Sequence, residues 1–181
     1  MSRISTPSSI EAAPQESQAS LQAVKSQLGS VPNLFRIVAN SPQTLEGYLG
    51  LNGALGKGTL PAATRERIAL AVAELNGCNY CLSAHTYLAS NLAKLSEDEI
   101  VKNRKGSSED AKAAVAVEFA VAIVKNRGQV SDTAVQAVRD AGYSDAELVE
   151  IVGHVALNTL TNYMNEVLGT EVDFPAAKEL A

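Results

Sequence analysis

Tryptophan is absent from the 181 residues, and Phe, Tyr and Trp together make up 4 % of them. A β-sandwich core leans on aromatic and β-branched side chains, so that composition argues against one. No stretch alternates apolar and polar residues with the period of a strand, and no internal repeat is evident. No apolar run approaches the roughly 20 residues that span a bilayer. The 15 Lys and Arg residues are scattered and outnumbered by 20 Asp and Glu, for a formal net charge of −5. A nucleic-acid partner, which needs a concentrated basic surface, is therefore not expected. Cysteine and histidine occur twice each.

What the chain has in quantity is alanine, within a 46 % hydrophobic composition. Small side chains suit helices that approach one another closely, and the length suits one well-buried domain. The expected fold class is all-α, a single-domain multi-helix bundle spanning residues 16–175. Residues 1–15, with Pro7 and Pro14, read as a flexible N-terminal tail, and 176–181 as a short C-terminal tail. The first 20 residues hold no hydrophobic segment of the kind a secretory signal needs, so a cytoplasmic location is expected. Start and stop signals place helices over about 16–28, a short one after Val31-Pro32, 42–55, 61–75, 78–92, one capped by Ser96, one from Ser107 or Ser108 to Lys125, 131–142 and 144–168. Phe174 is expected to pack down and close the domain.

Both cysteines fall in one place, Cys78-Asn79-Tyr80-Cys81, and His85 follows four residues after the second. The Asn76-Gly77 break ahead of them puts the pair at the start of a helix, where unpaired N–H groups favour a thiolate. Cys81 and His85, one turn apart, share a face, so His85 can take the Cys81 proton. Once Cys81 is oxidised to a sulfenic acid, Cys78 is within reach to form a disulfide. Cys81 thus reads as the attacking thiol, Cys78 as the resolving one and His85 as the base. Glu74 and Glu66 are both candidates to orient His85, and spacing does not choose between them. Structural zinc would need four ligands, and only His85 and His154 could join the thiols with ordinary donors. Two inert buried cysteines are the plainer alternative, and a non-catalytic redox sensor or thiol-regulated binding protein shares the same disulfide.

Glu66, a twelve-residue step to Cys78, the CxxC and His85 four residues beyond it, within Arg65–His85, resemble the alkylhydroperoxidase D-like branch of the carboxymuconolactone decarboxylase superfamily. The resemblance implies an all-helical homo-oligomer (dimer, trimer or hexamer) that reduces small hydroperoxides through its cysteine pair. It implies no metal and no organic cofactor, and a lipoyl group or thioredoxin-like protein as the dithiol reductant. It also selects Glu66 over Glu74 as the proton-relay carboxylate. The founding peroxidases carry a second histidine just before the second cysteine, where this chain has Tyr80. A phenol is a poor base at neutral pH, though it can donate a hydrogen bond to a peroxide oxygen.

Farther along, His154, Asn158, Asn162 and Glu166 recur every four residues, with Thr161 and Asn165 beside them. Such a stripe reads as satisfied buried polar groups or a solvated face; the alternative is a pocket lining, with His154 as an auxiliary base. The glycine-rich stretch Gly47–Gly58 lacks phosphate-loop spacing. Leu34, Phe35, Leu51 and Leu55 are core candidates that could also wall a peroxide pocket.

Overall fold

The computed structural model describes residues 2–180; Met1 and Ala181, the outermost residues of the two expected tails, lie outside it. Among the described residues there are nine helices: α1 Gln15–Leu28, α2 Asn33–Val38, α3 Pro42–Leu55, α4 Ala62–Leu75, α5 Asn79–Asn91, α6 Glu97–Arg104, α7 Ala111–Lys125, α8 Asp132–Asp140 and α9 Asp145–Leu168. The all-α class read from composition is the class observed. Among the described residues no helix is long and apolar enough to cross a membrane.

Local chemistry accounts for most of the boundaries. Ser41, Ser96, Ser131 and Ser144 each accept a backbone N–H from the third residue on, supplying one of the donors a helix start leaves orphaned. Ser144 and Glu147 form a reciprocal capping box, which opens the 24-residue α9. One expected start is displaced. α7 is capped by Asp110, whose carboxylate accepts the Ala113 N–H at 2.8 Å, not by Ser107 or Ser108. The Ser108 hydroxyl is committed elsewhere, donating to Glu99 Oε1 at 2.5 Å.

The centre of the molecule is α4, where Ile68, Ala69, Leu70, Ala71, Val72 and Ala73 are all buried in succession. A helix apolar on every side must be surrounded, and α5, α6, α7 and α9 all pack on this one. Its alanines let them come close. On one side Ile68 and Val72 join Phe119, Val138, Ile151 and Val155 of α7, α8 and α9. On another, Ala73 meets a cluster formed by α1 to α3, which includes Leu34 and Phe35 and also Cys78, Tyr80 and Cys81. The cysteine pair is built into that core.

A polar knot ties α4, α6 and the approach to α7. Glu99, 4 % exposed, accepts from Arg67 Nε at 2.6 Å, Asn103 Nδ2 at 3.0 Å, Ser108 Oγ at 2.5 Å and the Glu109 N–H at 2.7 Å. The described residues before α1 and after α9 form no helix but are tied to the body. Pro7 and Ser5 carbonyls accept from Arg36 and Asn40, and the Arg3 N–H donates to Leu168 O. At the other end Phe174 meets Tyr80 edge-on, with ring centroids 5.8 Å apart. The Ala177 N–H donates to Ser83 Oγ, and Lys178 O accepts from Arg104.

Candidate active site

The turn between α4 and α5 delivers the cysteines. α4 ends at Leu75 with Asn76 as its cap; Gly77 then takes a φ of +66°, a left-handed conformation that a Cβ would strain. That residue lets the Cys78 N–H reach back to Ala73 O at 3.0 Å and turns the chain directly into α5. Cys78 is not in the first helical turn, as expected, but is the N-cap itself. Its sulfur accepts the Cys81 N–H at 3.3 Å. The capping position usually taken by a Ser or Asp oxygen is here a thiol. Both sulfurs are buried, with Cys78 0 % and Cys81 3 % exposed.

The same hairpin brings Glu66, near the start of α4, beside His85 on α5. His85 Nδ1 lies 2.8 Å from Glu66 Oε2. A carboxylate at Nδ1 fixes the imidazole so that Nε2 is the nitrogen left to exchange a proton. Glu74, the rival acid, is held instead by Arg104 Nε at 2.6 Å. The two side chains of the Glu66–His85 pair are each 22 % exposed, so this is the side on which the site meets solvent.

Electrostatics separates the two thiols. The Cys78 thiol hydrogen-bonds to the Cys81 sulfur, and this outweighs burial in bringing Cys81 down to about 7; the positive charge of His85 and the Asn165 and Asn162 amides add to it. The Cys78 thiol is pushed up, chiefly because that hydrogen bond needs its proton, with burial and the Cys81 charge acting the same way. Burial alone would lower His85; the charge and hydrogen bond of Glu66, with Cys81, more than offset this and raise it. One thiol is thus poised to be an anion beside another that keeps its proton.

Two site residues come from the polar stripe on α9. Asn165 Nδ2 donates to Cys81 Sγ at 3.2 Å, and Asn162 Oδ1 accepts from Asn76 Nδ2 at 2.8 Å. Asn162 belongs to the four-residue recurrence read from the sequence and Asn165 lies beside it; that stripe was the only signal available, since nothing local pairs residue 165 with residue 81. The rest of the stripe divides. Asn158 and Thr161 bond back to carbonyls of their own helix, and Glu166 is exposed. His154 is buried with Nε2 unpartnered and its pKa lowered, first by burial. No hydrogen bond joins it to a cysteine or to His85.

Tyr80 is not aimed at a sulfur. Its hydroxyl accepts the Leu34 N–H at 3.1 Å, burial pushes its pKa up, and its ring rests on Phe174. Leu34 and Phe35 are core, whereas Leu51 is 39 % exposed. Among the described residues no three His, Cys, Asp or Glu side chains converge in a way that could hold a metal ion.

Residues 42–117, from the start of α3 into α7, match the profile of the carboxymuconolactone decarboxylase family. Over that stretch the chain is similar to that family, and its all-helical fold is that of solved alkylhydroperoxidase D-like proteins. A solved peroxidase-related protein from Ralstonia eutropha JMP134, described as an alkylhydroperoxidase AhpD core, is similar over 95 % of this chain and 92 % of its own, at 26 % identity and a TM-score of 0.84. Another peroxidase-related protein, from Silicibacter sp. TM1040, is similar over 94 % and 91 %, at 23 % identity and a TM-score of 0.81. The fold is also that of the debrominase Bmp8, solved with 2,3,4-tribromopyrrole, over 96 % and 94 % at 18 % identity and a TM-score of 0.79. No curated protein matches the chain in sequence.

Proposed function

We propose that the protein is a thiol-dependent hydroperoxidase working through a Cys78–Cys81 dithiol/disulfide cycle. The observation that carries this reading is the pairing of a Glu66-oriented His85 with a Cys81 thiol whose pKa is held near neutrality. The Cys81 thiolate attacks the terminal oxygen of a hydroperoxide; an S–O bond forms, the O–O bond breaks, and the departing alkoxide takes a proton from the His85–Glu66 pair. Cys78 then attacks the sulfenic sulfur, forming the disulfide and releasing water. An external dithiol, such as a lipoyl group or a thioredoxin-like protein, reduces the disulfide by exchange. The peroxide approaches from the side where His85 and Glu66 meet solvent. Self-association belongs to the same reading, because one side of α9 exposes Val149, Val152, Leu160, Tyr163 and Val167.

The test is continuous loss of an alkyl hydroperoxide or hydrogen peroxide with dithiothreitol or dihydrolipoamide as reductant. Many turnovers per protein support the reading. One equivalent consumed per chain, with no recycling, assigns the cysteines to a redox switch instead. In the same assay Glu66→Gln is expected to lower the rate about tenfold to a hundredfold, because it leaves the imidazole in place but removes the charge that holds its proton. A rate unchanged by Glu66→Gln would take the carboxylate out of the relay.

Tyr80→Phe separates the packing role of the tyrosine from a chemical one. It strands the Leu34 N–H, so stability should fall by about 1–2 kcal/mol, while the peroxide rate stays within about threefold. A collapse of the rate with an unchanged melting temperature would show that the phenol acts on substrate.

A further inference from the structure

The amides of α9 at the reacting sulfur have no counterpart in the cysteine, histidine and glutamate set. Asn165 is 2 % exposed, and among the described residues its only side-chain hydrogen bond is the one to Cys81 Sγ, at 3.2 Å. Its Oδ1 is buried without a partner. A carboxamide kept for packing or helix pairing would be expected to have its carbonyl satisfied as well. Here the carbonyl goes unmet while the N–H is aimed at sulfur.

Asn162, 0 % exposed, lies one turn back on the same helix. Asn76, in the turn just before the cysteines, donates to its Oδ1 and so fixes which end of the amide is which. Its Nδ2 has no hydrogen-bond partner, sulfur included, among the described residues, so Asn165 is the amide that meets the sulfur. A sulfur hydrogen-bonded by N–H groups is stabilised as an anion more than as a thiol.

We propose that Asn165, reaching across from α9, is a hydrogen-bond donor to the Cys81 sulfur that stabilises the thiolate. The proposal rests on the reading of Cys81 as the attacking thiol. It also supplies, from a different helix, a share of the polar assistance that the resemblance places at the position held by Tyr80.

The test is the pH dependence of Cys81 alkylation by iodoacetamide in the reduced full-length protein, with the modified peptide identified by mass. Peroxide turnover is measured in parallel. The unsubstituted protein should show an inflection near 7. Asn165→Leu, which keeps the bulk and removes the donor, should raise it by about one pH unit, a roughly tenfold loss of thiolate at neutral pH. Asn165→Asp, nearly isosteric but anionic, should raise it further, and it serves where the leucine variant fails to fold. A purely structural role would lower the melting temperature and leave the inflection where it was, which overturns the proposal. If the inflection moves as expected but the unsubstituted protein shows no peroxide turnover, the amide assignment stands and the peroxidase reading falls. If turnover is present and the inflection does not move, the reverse holds.

Discussion

Cys81→Ser is expected to abolish peroxide turnover, leaving only the background reaction of the added dithiol. A hydroxyl at this position stays protonated across the working pH range, whereas the Cys81 thiol is held down to about 7. Cys78→Ser should behave differently. Serine is a good N-cap, so its hydroxyl can take over the acceptor role toward the Cys81 N–H, and it can still donate to the sulfur. That variant should oxidise once per chain and stop, since no resolving thiol remains. After a sub-stoichiometric peroxide pulse, mass spectrometry should find the sulfenic acid on Cys81. Finding it on Cys78 in the Cys81→Ser variant, with Cys81 inert in the other, would exchange the two roles.

The second large effect is on stability. Glu99→Ala should cost about 3–5 kcal/mol, because it strands Arg67, Asn103, Ser108 and the Glu109 N–H together in a buried knot. For a chain of this length that corresponds to a fall in melting temperature of roughly 10 °C. A drop below about 2 °C would mean that the knot relaxes onto water. The pH dependence has a definite sign. Burial opposes ionisation of Glu99, but the hydrogen bonds from Ser108, Asn103, Glu109 and Arg67 hold its pKa at about 2. A carboxyl lowered in the folded state adds stability at pH values above its ordinary range. That contribution drains away as the pH falls from about 4.5 toward about 2. Acid unfolding over that window should be shallower in Glu99→Ala than in the unsubstituted protein.

How much of this was legible in the sequence depends on how local the cause is. Helix starts at Ser41, Ser96, Ser131 and Ser144 are settled by a hydroxyl and an amide three residues apart, and they could be read directly. α7 could not, because Ser108 is drawn to Glu99 by a contact between two helices, leaving Asp110 to cap. The spacing of Cys78, Cys81 and His85 announced a thiol site. Choosing between Glu66 and Glu74 by spacing alone was impossible, since Glu74 is claimed by Arg104, 30 residues away. Asn165 is further removed still: it meets Cys81 across 84 residues of chain. The segments at both ends, read as tails, are tied down by backbone hydrogen bonds that composition does not reveal.

α4 has one more consequence. It runs between the carboxylate at Glu66 and the left-handed turn at Gly77, so its length works as a ruler for the site. Inserting or deleting one residue between them would swing Glu66 about 100° around the helix and shift it about 1.5 Å along it, away from His85. Side chains in the stretch can drift, provided they stay small and apolar, but the count cannot. The register of an inert-looking, alanine-rich helix therefore holds the Glu66–His85 contact as firmly as either side chain does.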